Sequence, residues 1–494
     1  MAAAWSLSRF PDRYAVTVIE AGQVCGGVAC SLERNFPMPD GTRLRAGINY
    51  GVQGGSPAAH QNTVALMSRF GLTPSPVELT VSFGKGENNW KNYERGELQR
   101  RLKRETARFG RVLKWIARLE PLCIFMSIDR LLRLFRFSDD FRYRMVFPLV
   151  ALFFGTGNQT KDVSAAIVAR VFLDESMAIF EYHAEYMLDA TPSNIAFDNL
   201  EAFYESMRAS MAKSGCRFLM RTKVTNVERG AQIKVAVEAA PASWRAGSEQ
   251  PVQAFRVGPT PRVAQALGES PPDADGDAPS SSPPTGPLEF DELILAVPAN
   301  AALRLLGDPS RAERRVLGSV EYFEDLSVTH TDEAYMRRHN EIDGRAIYFI
   351  KTLESQPSCC EMGFDLTGYQ PELVPVRNGN ADRVYQTIFL NKAARDQWTI
   401  DEIDPSRVID KSWWTAFSHT YKHFRWVVPW VWSIQKPGRT LYAGSWTLFN
   451  THDIAIASGL AAAHRLGAPY PFDDNPRARA TFKTVLAASH LKLA

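Results

Sequence analysis

The stretch Leu441 to Gly467, LYAGSWTLFNTHDIAIASGLAAAHRLG, constrains this chain most. Thr440 to Ala443 read as the end of a strand, Gly444 breaks it, and a helix of small residues runs from about Ile454 to Leu466. Ala455, Ala457, Ser458, Gly459, Ala461, Ala462 and Ala463 keep most of one helix surface small, which suits close approach to another flat body. A helix N-terminus also offers free N–H groups and a positive dipole end to an anion or a polarised carbonyl. The competing reading is a helix packed tightly on a sheet with no ligand.

The start of the chain bears on that choice. Tyr14 to Glu20 reads YAVTVIE, a β-branched strand ending in an acid, and Gly22, Gly26 and Gly27 follow. In a dinucleotide-binding unit an acid closing the second strand bonds the ribose hydroxyls, roughly 20 residues after a glycine fingerprint. Glu20 has that placing, but no GxGxxG precedes it; Met1 opens on AAAWSLSRF, which reads as the second half of the crossover helix.

In order, AAAWSLSRF, VTVIEAG, the Gly26-Gly27 pair, ILAVPANAALRLLG and the terminal YAGSW…HDIAIASGLAAAHRLGA resemble the flavin-containing amine oxidase superfamily of FAD-dependent oxidoreductases. Within it, SVTHTDEAYMRR, AGINYGVQ and His452-Asp453 ahead of Ser458-Gly459 look most like a "predicted NAD/FAD-binding protein" branch. The resemblance implies an α/β fold, in which a Rossmann-like FAD-binding domain is interleaved with a substrate domain of antiparallel sheet plus helices. It implies FAD as cofactor. The AGINYG position resembles the turn that passes the isoalloxazine ring, making Gly47, Asn49 and Gly51 cofactor candidates beside Glu20, Gly26 and Gly27. RTKVTNV resembles the strand that brings Val224 beside the adenine. Ala296, Pro298, Gly444, Ser445, Asp453, Ile454 and Ser458 complete the expected cofactor set.

The same resemblance implies an unusual active site. Many amine oxidases present a lysine that holds a water against the flavin, whereas Ser319, Val320 and Glu321 stand here and no lysine lies between Arg315 and His330. That argues against a standard amine oxidase mechanism. His330 and His452 remain as catalytic candidates, and a polar core or turn is the competing role for His330 and Asp332.

The expected organisation is 1–72 as the first FAD-binding part, 73–212 as a mainly helical substrate or cap region, and 213–306 as the second FAD-binding part. Residues 307–435 form the substrate-domain sheet with the aromatic segment, and 436–494 the third FAD-binding part. Met177 to Leu188 and Pro192 to Ala212 read as helices of the cap. Residues 239–288, rich in Pro, Gly, Ser, Ala and Asp, cannot bury enough apolar surface to offset ordering, so a disordered insertion is expected there. Ser412 to Trp432 is aromatic-rich and reads as core, with some rings walling a substrate cavity.

Composition excludes other classes. The chain has 494 residues, 45% hydrophobic and 22% charged, enough for large cores. A net charge of +3 gives no electrostatic case for nucleic acid. Six cysteines without a CxxC pair, and scattered histidines, suggest neither a metal site nor a disulfide framework, so a reducing, cytoplasmic location is expected. No HExxH, P-loop or GxSxG at a strand-to-helix turn occurs.

Residues 91–144 are basic and apolar together, with ten Lys/Arg against three acids between Lys91 and Arg118. No transmembrane helix of about 20 apolar residues fits there. A basic amphipathic surface can lie on a membrane or admit a lipid-like substrate, and a solvated helix face is the competing reading.

The sequence therefore points to an FAD-dependent oxidoreductase taking hydride from a small or lipid-like substrate. The alternatives are a flavin-dependent isomerase or desaturase of an unsaturated fatty or isoprenoid chain, and an N-terminally incomplete form that holds FAD poorly because the first strand and its glycine turn are missing.

Overall fold

The computed structural model describes residues 1–38, 40–49, 51–174, 180–188, 192–241, 286–378, 382–436 and 439–491. Most of the expected insertion at 239–288 lies outside them.

The helices that position the candidate site are α1 (Ala2–Ser8), α2 (Gln61–Ser68), α3 (Lys103–Arg118), α4 (Glu120–Cys123), α5 (Ile128–Leu134), α6 (Phe147–Phe154), α7 (Ala165–Leu173), α8 (Leu200–Lys213) and α9 (His452–Arg465). α3 is amphipathic: Thr106, Phe109, Val112, Leu113 and Ile116 recur at helical spacing and are buried, largely against α7. α9 is buried almost all round, from His452 to Ala463, and packs on α1. Its Gly459 accounts for that approach, since a Cβ there would lie 3.1 Å from the Ala3 nitrogen.

A seven-stranded mixed sheet dominates the β structure, and its core strands Tyr322–His330, Tyr385–Phe389, Cys360–Asp365 and Tyr348–Thr352 are neighbours in that order. Tyr348–Thr352 also pairs in parallel with Val81–Phe83, so residues from the 73–212 region extend the sheet.

The strands expected in the dinucleotide-binding part form separate parallel pairs. Thr17–Ile19 lies beside Arg217–Leu219, and Leu293–Leu295 beside Thr440–Tyr442. Among the described residues no ladder joins the two pairs.

Two local readings are corrected. Tyr182–His183 and Met187–Leu188 form a short antiparallel pair instead of a helix. The Gly110 N–H donates to the Tyr182 hydroxyl at 2.8 Å, tying that hairpin to α3, a contact that local propensity does not register. The expected helix at 192–212 begins late: Ser193–Ala196 pairs with Ser75–Glu78, and α8 starts only at Leu200, where the Asn199 side chain accepts from the Ala202 N–H at 3.0 Å. In the aromatic segment, Trp426, Trp430 and Trp432 are exposed, so it is not all core.

Candidate functional site

The strand-to-helix turn after Thr440–Tyr442 is built as the sequence implies. Gly444 has φ 143°, a conformation that disfavours a side chain, and its N–H donates 2.8 Å to Ser458 Oγ on α9. Ser445 Oγ donates to Asn450 Oδ1 at 3.3 Å, and Thr451 caps α9 by accepting from the Ile454 N–H at 3.3 Å. Gly444 and Ser445 in the turn, and Ile454 and Ser458 on the first turns of α9, therefore meet at one strand-to-helix junction.

Asp453 is turned elsewhere. Fully buried, it accepts from the Thr63 N–H at 2.7 Å, from Thr63 Oγ1 at 3.1 Å and from Asn62 Nδ2 at 3.1 Å. It caps α2 from α9, a role the sequence did not reveal because the partners lie 390 positions apart. Burial raises its pKa, against the pull of nearby His60 and these hydrogen bonds, and burial lowers that of His60.

His452, the neighbouring residue, meets α8: its Nε2 lies 2.5 Å from the Tyr204 hydroxyl. Burial holds its pKa down to about 3, so the ring is neutral, and Nδ1 is buried without a partner among the described residues. Tyr204 also explains Gly26, with φ 120°, where a Cβ would come within 2.6 Å of the tyrosine ring. Gly27 has φ 65° and open space around it.

Gly51 lies against the segment after Gly26-Gly27, but Gly47, expected in a turn, falls inside the strand Arg43–Asn49 opposite Glu33. A Cβ on Gly51 would stand 2.6 Å from the Val28 carbonyl oxygen, and one on Gly47 would strike the Asn199 amide. Asn49 is a fully buried hub: its N–H donates to Gln370 Oε1 at 3.0 Å, its Nδ2 to the Phe197 carbonyl at 2.8 Å, and its Oδ1 accepts from Ser31 Oγ at 2.6 Å. Glu20 ends the first strand with one carboxylate oxygen accepting from the Gly22 N–H at 2.7 Å, and burial raises its pKa. Val224 is half-buried at a bulge in Thr222–Arg229, and Ala296 and Pro298 are exposed after Leu293–Leu295.

His330 lies on the large sheet. Its Nε2 is 2.9 Å from Thr387 Oγ1, its Nδ1 accepts from the Asp332 N–H at 3.2 Å, and burial lowers its pKa to about 4. Because strand side chains alternate faces, His330 and Thr387 point away from Gln386, whose Oε1 accepts from Gln53 Nε2 at 2.9 Å. Ser327 and Thr329 share the Gln386 face, and their hydroxyls are buried without partners among the described residues. Gln53, which follows the strand Arg43–Asn49, meets that face through Gln386. Sequence reasoning missed Gln53, Ser327, Thr329 and Gln386, since only strand register brings them together.

A small apolar void of about 10 Å³, room for roughly one water, lies between α3, α6 and α7, lined by Phe109, Leu149, Phe153, Phe154, Val168 and Phe172 among others. At one end the Phe154 ring is 4.6 Å from the His419 ring, and His419 Nε2 accepts from the Asn450 N–H at 2.8 Å. Burial, and secondarily His423, lower the pKa of His419 to about 3. The cavity thus ends one side chain from the Gly444 turn.

A flavin dinucleotide is met only in part by these residues. The Gly444 turn, the α9 N-terminus and the orphaned buried Trp446 Nε1 and His452 Nδ1 fit one end of it. The pyrophosphate has no counterpart among the described residues, because no glycine-rich turn follows a strand set between the two parallel pairs.

No protein-family model matches the sequence, and no match to a curated protein was found. Solved structures do match over nearly the whole chain. A CLA-producing fatty acid isomerase from P. acnes superposes with a TM-score of 0.58 at 14% identity, covering 94% of this chain and 96% of that one. A putrescine oxidase, solved bound to putrescine, gives 0.56 at 15% identity, with 95% and 96% covered. Cyclohexylamine oxidase from Brevibacterium oxydans IH-35A gives 0.54 at 13% identity, with 94% and 96% covered. At these identities the likeness is one of fold: an α/β architecture with a large mixed sheet, shared with two oxidases and an isomerase.

Proposed function

We propose that this chain is an FAD-dependent oxidoreductase that takes hydride from an organic substrate with an apolar portion. The observation that carries the reading is the Gly444 to Ser458 strand–turn–helix, held in the open-φ conformation, within a fold similar to that of oxidases along nearly the full chain. A bound flavin supplies a two-electron acceptor. The chain's own contribution is positional: Gly444 and Ser458 set the turn, Glu20 stands at the strand end where it would bond a ribose, and Ser327, Thr329 and the Gln53–Gln386 pair present polar groups on one face of the large sheet. Burial keeps His419 and His452 neutral, able to donate or accept a hydrogen bond without adding charge.

A second reading, isomerisation or desaturation of an unsaturated chain, is favoured by the cavity. Its lining is wholly apolar, which suits a hydrocarbon tail better than an amine, although at about 10 Å³ the void must widen to admit one.

The test is the visible absorbance spectrum of the purified full chain before and after titration with FAD. A flavin spectrum that persists through gel filtration is expected. A protein that stays colourless and takes up no FAD refutes both readings. With flavin in place, peroxide release from amines favours the first, and rearranged or newly unsaturated lipid without peroxide favours the second.

A further inference from the structure

Helices α3, α4 and α5 satisfy their core contacts and still carry large apolar side chains outside. Leu122 is 70% exposed, Leu134 65%, Phe125 45% and Trp115 40%. These are not a misplaced core stripe, because Phe109, Val112, Leu113 and Ile116 already bury the inner face of α3. They are near neighbours along the chain and across helix ends: the Trp115 ring meets Phe135, next to Leu134, edge-on at 5.3 Å, joining the ends of α3 and α5, and exposed Leu119 and Leu122 stand three positions apart across the α3–α4 junction.

The rim of this surface is basic. Arg111, Lys114 and Arg118 are exposed along α3, and Arg130 along α5. The neighbouring acids are already engaged: Glu120 accepts from Arg170 at 2.9 Å, and Asp129 from Arg133 at 2.9 Å and from Arg142 at 3.1 Å. Contiguous exposed apolar surface marks a docking site, and a positive rim with a tryptophan at its edge matches the chemistry of an anionic lipid interface. Protruding single leucines fit a fluid surface better than a shaped protein epitope. Among the described residues no helix is long and apolar enough to cross a membrane, so contact would be with its surface.

We propose that the α3–α5 surface docks on anionic lipid membranes, with Leu122, Phe125 and Leu134 entering the interface and Arg111, Lys114, Arg118 and Arg130 meeting the headgroups. The apolar cavity behind Phe109 then lies one helix layer from the lipid. The proposal stands whether or not flavin binds.

The experiment is sedimentation of the full chain with phosphatidylcholine vesicles, with and without phosphatidylserine. Pelleting is expected only with phosphatidylserine, and it should weaken as salt is raised. Leu122→Glu with Leu134→Glu, and separately Arg111→Glu with Arg118→Glu, should each reduce partitioning by roughly tenfold or more, with circular dichroism unchanged. If the leucine pair does not fold, the arginine pair carries the test. Wild-type protein that stays in the supernatant with both vesicles overturns the proposal, as does pelleting that neither folded variant reduces. Loss of a wild-type dimer in the leucine variant, without any vesicle binding, also overturns it and assigns the patch to a second copy of the chain.

Discussion

Arg229 and Glu313 meet at 2.6 Å, with both side chains almost wholly buried, and the Tyr442 hydroxyl donates to the same carboxylate at 2.6 Å. Three elements are joined there: the strand Thr222–Arg229, the helix Arg311–Gly318, which Glu313 also caps through the Ser310 N–H, and the strand Thr440–Tyr442 that leads into the Gly444 turn. The pair therefore braces the base of the candidate site.

Burial pushes the Glu313 carboxyl up, but hydrogen bonds from Arg229, Tyr442 and Ser310 outweigh it and bring the pKa down to about 2. A folded pKa below the unfolded value of 4.5 means stability present above pH 4.5 and lost as pH falls toward 2. Glu313→Ala should lower the unfolding free energy by about 1.5–3 kcal/mol at neutral pH, because Arg229 and Tyr442 lose a buried charged acceptor while Asp308 still pairs Arg229 at 2.8 Å. Urea titrations across that acid range should show wild type converging on the variant.

Asp453→Ala should destabilise the chain by about 1–3 kcal/mol, since the Thr63 N–H and Asn62 amide lose a buried acceptor. Thermal unfolding reads this directly. If flavin retention falls without loss of stability, Asp453 belongs to the cofactor and not to the α2 cap.

Glu20→Ala should weaken flavin retention by about 1.5–3 kcal/mol, the worth of a hydrogen bond to a charged group. Equilibrium dialysis with FAD measures it. Unchanged affinity would leave the carboxylate only its bond to the Gly22 N–H.

Val168→Phe places a larger ring in the wall of the apolar cavity. Overpacking should cost about 1–3 kcal/mol of stability. Thermal unfolding reads the loss. An unchanged midpoint would show that the helices around the void yield to the added ring.

Local chemistry made several features legible in the sequence. A glycine after an apolar strand and a run of small residues at helical spacing announced Gly444 and α9, because turn and helix signals lie within a few residues of one another. The amphipathic period of α3 was readable for the same reason.

Contacts between residues remote in the chain were decided only by tertiary structure. Asp453 had the position of a ligand at a helix N-terminus, yet the packing of α9 on α2 turns its carboxylate to Thr63. His452 meets Tyr204 across 248 residues, and the Tyr204 ring lies against Gly26. His330 and Ser327 sit on one strand, but pleating and register send them to opposite faces, so only one can join Gln53 and Gln386. Sequence sets local conformation through short-range sterics and hydrogen bonds. Which polar group finds which partner depends on burial among distant elements, where an unpaired donor or acceptor is costly and the fold allows few alternatives.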